Sequence, residues 1–206
     1  MVDADYTEPH AIAPRSTIRR YFEIPLVILA LVAGAAFLTK MCYLSLVFNT
    51  IFVIVFLALV YLYVRARLEI QIPLVLLGLV FAALQVDALG NFFHMYGQKF
   101  GPMHYDEFAH MMVQVLVSPI IVWLVGAVLQ QCGYRLSLKL TAFFAATIVF
   151  SLSAIYEIIE LWDEIYFGGH RIWGSYDTAT DLQWDLCGII VGTLFSCIML
   201  RDTRKQ

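Results

Sequence analysis

Long apolar stretches, separated by short polar segments, run through most of this chain. Six of them come near the roughly 20 residues that cross about 30 Å of hydrocarbon, so each predicts a membrane-spanning helix. Their approximate bounds are Ile24–Thr39, Tyr43–Val64, Ile72–Phe93, Phe108–Gln130, Leu138–Trp162 and Trp184–Leu200. No repeat or linker divides them. We therefore predict an all-α, six-helix transmembrane bundle over residues 21–200, between a mobile cytoplasmic N-terminus (1–20) and a cytoplasmic tail (201–206).

Composition agrees with this pattern. The chain is 61% hydrophobic and 14% charged, with a mean hydropathy of +0.79, whereas soluble domains are about 45–50% apolar and about 25% charged. The net charge of -3 and the lack of a basic cluster argue against a nucleic-acid partner. The four cysteines have no CxxC spacing and predict no disulfide framework. The expected location is the plasma (inner) membrane, with lipid as the surroundings.

Lysine and arginine positions predict the orientation, because cytoplasmic loops of membrane proteins carry an excess of both. With the N-terminus inside, ten basic residues lie on the cytoplasmic side and three outside. The inside residues are Arg15, Arg19, Arg20, Arg65, Arg67, Arg135, Lys139, Arg201, Arg204 and Lys205; those outside are Lys40, Lys99 and Arg171. The bias holds at every loop, so both termini are predicted to be cytoplasmic.

Acidic and histidine residues gather at the outer end of the last four spans, where a carboxylate in lipid costs about 2.5–3.5 kcal/mol. Residues three or four apart share one helix face. This spacing gives four polar stripes: Asp87, Asn91 and His94; Asp106, His110 and Gln114; Glu157, Glu160 and Glu164; and Asp181 with Asp185. Because lipid cannot solvate such stripes, we expect them to face the bundle interior and to meet there.

Crowded carboxylates require protonation or a cation among them. Oxygen and imidazole ligands from facing helices are typical of bundle-core metal sites, and they suit Zn, Fe or Mn. The predicted ligands are Asp106, His110, Glu157 and Asp185; the predicted general base is Glu160 or Asp181; further polar-site candidates are Asp87, Asn91, His94 and Gln114. A purely structural polar network remains an alternative, and so does an N-cap role for Asp181.

Three short runs resemble a known family. They are Tyr105-Asp106-x-x-x-His110, Ile155-Tyr156-Glu157-x-x-Glu160-Leu161-Trp162 and Asp177-Thr178-x-x-Asp181-x-Gln183-Trp184-Asp185. Together they resemble the uncharacterised YjdF-like family of bacterial inner-membrane proteins, over roughly residues 87–200. In this motif the family more often has the aspartate and the threonine next to each other. Here Thr178-Ala179-Thr180 separates Asp177 from Asp181, so the family's aspartate matches either one. The resemblance implies a small multi-pass membrane protein and supplies no activity, substrate or cofactor.

Three functions remain open from the sequence. The first is a metal-dependent intramembrane enzyme that acts on a lipid or amphiphile from the outer leaflet. The second is an accessory or structural subunit bound to a membrane-protein partner, with the polar cluster as a packing network. The third, an ion-coupled transporter, is disfavoured because no inverted repeat or pair of broken helices is visible.

Overall fold

Five helices, all long and apolar enough to cross a membrane, make up most of the part of the chain that the structure describes. The structure is a computed structural model, and it describes residues 46–169, 172 and 174–203. The helices are α1 (Leu46–Leu68), α2 (Leu74–Phe92), α3 (Tyr105–Gln131), α4 (Leu138–Phe167) and α5 (Asp177–Thr203). Two short antiparallel strands, β1 (Lys99–Phe100) and β2 (Met103–His104), join α2 to α3. A polytopic helical membrane protein is therefore confirmed.

The helices differ from the predicted spans by up to seven residues at their ends. The predicted first span, Ile24–Thr39, and segment 1–20 lie outside the described residues. Helix α3 begins three residues before the predicted Phe108, and α5 begins seven before the predicted Trp184. Helix α4 continues five residues past the predicted Trp162. Hydropathy marks where a chain enters lipid, whereas acids in a first turn favour a helix start through the helix dipole. The first turns of α3 and α5 both carry acids.

Helices α3 and α5 form the closest pair, and two glycines of α5 allow their approach. A Cβ added at Gly188 would lie 2.2 Å from the carbonyl oxygen of Met111. A Cβ added at Gly192 would lie 2.8 Å from the carbonyl oxygen of Val115. That oxygen receives no helical hydrogen bond from Pro119, because proline has no N–H. The order of these contacts makes the two helices parallel, and the Gly188-x-x-x-Gly192 spacing allows their close packing.

We expect Gly188→Ala to destabilise the bundle by about 1–3 kcal/mol, the usual cost of overpacking. The added methyl group would meet backbone rather than a flexible side chain, so α5 has to move away from α3. The matched control is Gly78→Ala on α2, where nothing lies within 4 Å of the new Cβ. Thermal unfolding in detergent should show a lower midpoint for the first variant only. Equal midpoints for the two variants would contradict the close packing.

The outer surface of the bundle is apolar along its length, as lipid contact requires. Helix α1, for example, exposes Phe48, Ile51 and Leu59. At 30 residues, α4 is about 45 Å long and exceeds the hydrocarbon thickness of about 30 Å. Its last turns expose Trp162 and Tyr166, residue types that favour the membrane–water interface. The C-terminal end of α4 therefore carries residue types that are typical of such an interface.

A tight core closes the opposite end of the bundle, next to the basic last turn of α1. Val64, Leu68 and Leu76 are buried there and pack against residues of α3 and α5. Gln131 at the end of α3 donates a hydrogen bond from Nε2 to the carbonyl oxygen of Leu68, at 3.0 Å. Cysteines Cys132, Cys187 and Cys197 are free thiols, and Cys42 lies outside the described residues.

Candidate metal centre

The imidazole of His110 lies at the centre of a group of carboxylates. Its Nε2 is 3.8 Å from Asp106 Oδ1 and 4.0 Å from Asp181 Oδ2. Its Nδ1 is 3.2 Å from Asp185 Oδ1 and 3.8 Å from Glu157 Oε1. Each nitrogen of one ring thus faces two acids. The side chains that were predicted to meet therefore lie together in the structure.

Chain direction explains why these residues meet. Asp106 and His110 lie in the first turns of α3, and Asp181 and Asp185 lie in the first turns of α5, which runs parallel to it. Helix α4 runs the other way, so Glu157 near its end comes to the same depth. Three helix ends at one side of the bundle therefore supply the whole cluster. The basic residues of the connecting loops, such as Arg135, belong to the opposite side.

Asp185 is the most deeply buried acid of the group, with 1% of its side chain exposed. Its Oδ1 accepts a hydrogen bond from Gln114 Nε2 at 3.0 Å and lies within reach of His110 Nδ1. Gln114 also donates to Ser153 Oγ at 2.7 Å, which ties α3 to α4 and α5. When Nδ1 carries the ring proton, it donates a hydrogen bond to Asp185. The free lone pair of the ring is then on Nε2. The hydrogen bond thus orients Nε2 toward Asp106 and Asp181.

The space around Nε2 has the dimensions of a cation site. Distances of 3.8 and 4.0 Å are too long for hydrogen bonds. Bonds of about 2.0–2.2 Å to a tetrahedral ion leave ligand atoms about 3.4 Å apart, so small side-chain movements would complete such a site. Ligand atoms of Asp106, His110 and Asp181 all lie within 4.8 Å of one another.

Glu157 and Glu160 form a second group on the other side of the ring. Their ligand atoms and one nitrogen of His110 also lie within 4.8 Å of one another. Glu157 is 4% exposed. Among the described residues, no hydrogen-bond donor reaches its Oε1. A buried carboxylate oxygen without a hydrogen bond carries a large desolvation cost, so its presence favours a further ligand at this point.

The helices that form the cluster offer little positive charge of their own. Helix α3 contains no lysine or arginine. The basic residues of α4 and α5, Lys139 and Arg201, lie at the far ends of those helices. Five carboxylates therefore share one imidazole within the helical part of the site. A bound cation would balance that charge.

The sequence predicted one polar stripe on α2 formed by Asp87, Asn91 and His94, and this prediction is wrong for His94. Helix α2 ends at Phe92, and His94 adopts a left-handed conformation with φ 52°. His94 is exposed and lies outside the helix. Asp87 and Asn91 do share a face, because Asn91 Nδ2 donates to Asp87 Oδ1 at 3.2 Å. Asp87 also accepts a hydrogen bond from Tyr96.

Tyr96 is a member of the site region that the sequence stripes do not include. Its hydroxyl group donates a hydrogen bond to Asp87 Oδ1. Burial, followed by the charge of Asp87, raises the pKa of Tyr96 above its ordinary value of 10.0, and the charge of Asp106 adds to the effect. Tyr96 therefore lies between α2 and the cluster. Its position depends on the irregular segment after α2, which helical spacing cannot predict.

Two further expectations are corrected by the coordinates. Asp181 lies four residues inside α5 and is buried, so the N-cap alternative is wrong. Glu164, the third member of the α4 stripe, accepts a hydrogen bond from the backbone N–H of Ile172 at 3.4 Å. Glu164 thus holds the loop after α4. Ser153 was missed, although its position four residues before Glu157 is the signal for it.

These features define a class, namely a polytopic helical membrane protein with a buried acidic and histidine cluster between its helices. The chain belongs to the family described as Predicted membrane protein (DUF2238), whose model matches residues 23–206. Membership of an uncharacterised membrane-protein family is thereby confirmed, while the YjdF-like resemblance stays a prediction. No curated protein and no solved structure matches the chain.

Proposed function

We propose that this protein is a metal-dependent membrane enzyme whose substrate is a lipid or another amphiphile. The cation is held by Asp106, Asp181 and Nε2 of His110. The observation that carries the proposal is the grouping of these three ligand atoms within 4.8 Å of one another. Their oxygen and nitrogen donors suit Zn, Fe or Mn.

The number and exposure of the ligands favour a catalytic site over a structural one. Structural zinc sites have four protein ligands, whereas catalytic sites have three and an open position. The side chains of His110 and Asp106 are 12% and 17% exposed, while that of Asp181 is 3% exposed. The site is thus closed on the α5 side and reachable past α3. A divalent cation there would polarise a substrate oxygen or activate a water molecule.

In this proposal Asp185 orients the ring of His110 and is not a metal ligand, in contrast to the role predicted from the sequence. Metal-binding histidines commonly donate their other N–H to a carboxylate, which fixes the tautomer and the orientation of the ring. The 3.2 Å contact with Nδ1 suits Asp185 for that task, and Gln114 holds Asp185 in place. Asp181 correspondingly becomes a ligand rather than a general base.

We further propose six spans in the plasma membrane, with both termini cytoplasmic and the cluster in the outer half. The basic residues Arg65, Arg67, Arg135 and Lys139 support this orientation, since they lie at helix ends or in a loop opposite the cluster. A lipid in the outer leaflet then lies at the depth of the site. A reporter enzyme that is active only outside the cytoplasm should be inactive when fused in the loop after α1 and active in the loop after α2. The reverse pattern would rule this orientation out.

A transport path finds no support below the cluster. Buried hydroxyl groups there bond to their own helices: Ser118 to the carbonyl of Gln114, and Ser196 to that of Gly192. The neighbouring core at the basic end contains Val122, Ala142 and Ala145. Ser118 and Ser196 therefore do not link the cluster to the cytoplasmic side.

The proposal is tested first by metal binding. Purified protein in detergent is stripped of metal, dialysed against Zn²⁺ or Mn²⁺, and analysed for bound ion. We expect tight binding by the wild-type protein and its loss in the double variant Asp106→Asn, Asp181→Asn, because amide oxygens are neutral and poorer ligands. Glu107→Gln is the matched control. Glu107 neighbours Asp106, but its carboxylate accepts a hydrogen bond from the backbone N–H of His104.

Catalysis is tested with the same proteins in vesicles of phosphatidylethanolamine and phosphatidylglycerol, with products identified by mass spectrometry. We expect a metal-dependent change in a lipid that Glu107→Gln retains and the double variant lacks. Absence of tight metal binding would remove the cation site. Tight binding without any change in these lipids would overturn the proposed substrate class and leave the accessory-subunit hypothesis in its place.

A further inference from the structure

The carboxylates of the cluster carry more charge than one cation balances when all of them are ionised. Asp106, Asp181, Asp185, Glu157 and Glu160 then bring five negative charges to one imidazole. With neutral His110, one divalent ion leaves three of those charges uncompensated in a membrane interior. Two divalent ions leave one. Like charges in a low-dielectric site repel strongly, by about 4 kcal/mol for a pair 4 Å apart at an effective dielectric of 20.

The uncompensated charges include Glu157 and Glu160. These residues are three apart on α4, so they share one face of that helix. Ligand atoms from both lie within 4.8 Å of each other and of the His110 ring. Glu157 is 96% buried, and its Oε1 points at the ring, 3.8 Å from Nδ1. That oxygen accepts no hydrogen bond from any described residue.

We propose that Glu157 and Glu160 hold a second divalent cation on the Nδ1 side of His110, so that the site is dinuclear. Nδ1 keeps its proton and donates a hydrogen bond to Asp185. The ligands of the second ion are carboxylate oxygens and water. This inference rests on the proposed cation at Nε2, since it describes the other half of the same cluster. Glu160 is then a ligand rather than the general base expected from the sequence.

The two halves differ in ligand chemistry, and therefore in metal preference. The first half offers an imidazole nitrogen with two carboxylates, which suits Zn²⁺. The second half offers oxygen alone, which suits Mn²⁺ or Mg²⁺. A protein loaded with one equivalent of Zn²⁺ should therefore still bind Mn²⁺. Two-metal sites of this kind clamp both the attacking and the leaving oxygen of a displacement.

The test is electron paramagnetic resonance of Mn²⁺ added to the Zn²⁺-loaded protein, in which bound and free Mn²⁺ are counted separately. We expect one bound Mn²⁺ per wild-type chain. The double variant Glu157→Gln, Glu160→Gln should bind Mn²⁺ at least ten-fold more weakly while retaining Zn²⁺. The retained Zn²⁺ shows that the variant is folded. The matched control, Glu164→Gln, makes the same change one turn further along α4 and should bind both ions normally.

The outcomes separate this inference from the proposed function. Zn²⁺-loaded wild-type protein that takes up no Mn²⁺ overturns the second site and leaves the first in place. Mn²⁺ uptake that is unchanged in the Glu157, Glu160 variant also overturns it, since the ion is then held elsewhere. Failure of the wild-type protein to bind Zn²⁺ removes the proposed function itself.

Discussion

Replacing His110 by Gln should abolish tight Zn²⁺ binding and all metal-dependent activity. His110 is the only nitrogen ligand in the group with Asp106 and Asp181, and glutamine supplies no equivalent lone pair at that place. Loss of a hydrogen-bond partner of a metal-binding histidine already costs about 10–100-fold in affinity. We therefore expect Zn²⁺ affinity to fall by at least about 100-fold when the ring itself is removed. Equilibrium dialysis at several Zn²⁺ concentrations measures this change.

The matched control for that variant is His104→Gln. His104 is exposed on the hairpin before α3 and stands outside the cluster, so Zn²⁺ affinity should remain at the wild-type level. Thermal unfolding of the metal-free proteins shows whether the His110 variant has kept its fold. If a folded His110→Gln protein binds Zn²⁺ as tightly as the control, the ion is not bound at this ring.

The second prediction concerns stability and has an unusual sign. In metal-free protein, Asp181→Asn should raise the free energy of unfolding, by on the order of 1–4 kcal/mol, because it removes one of several crowded negative charges. The oxygens of Asp106 and Asp181 lie within 4.8 Å of each other, which makes the repulsion direct. With saturating Zn²⁺ the order should reverse, since only the wild-type protein gains the full binding free energy of the ion.

This reversal separates a metal site from a packing network. In a network of hydrogen bonds, removal of one partner leaves another unsatisfied, and the variant is then less stable with or without metal. Unfolding midpoints in a chelator and in Zn²⁺ supply both halves of the comparison. Asp177→Asn, one turn earlier on α5, makes the same change at a residue outside the group formed by Asp106, His110 and Asp181, so its effect should depend much less on Zn²⁺. Destabilisation of Asp181→Asn in the chelator would refute the metal interpretation.

The sequence predicted the depth of the cluster better than its internal arrangement. Lipid excludes charge so strongly that Asp106, Glu157 and Asp185 had to face the bundle interior, and spacing by three or four residues correctly indicated shared faces. Which helices pack together is a different matter. The parallel contact of α3 with α5 depends on Gly188 and Gly192, whose GxxxG spacing allows close packing without choosing the partner helix.

Individual roles were less accessible from spacing. Asp181 and Asp185 lie one turn apart on the same face of α5, yet the first approaches Nε2 of His110 and the second Nδ1. The distinction follows from the rotation of α5 and the orientation of one ring. The prediction for His94 was wrong because α2 ends at Phe92, so His94 lies beyond the helix. Gly97 and Gly101, both with positive φ, mark the irregular segment that follows.

Anomalous diffraction at the zinc absorption edge, from crystals grown with Zn²⁺, tests the central claim most directly. The account predicts an anomalous peak between Asp106, His110 Nε2 and Asp181, with ligand bonds of about 2.0–2.2 Å and Asp185 hydrogen-bonded to Nδ1. Zinc found only at the protein surface, with these side chains arranged as in the metal-free protein, would contradict it.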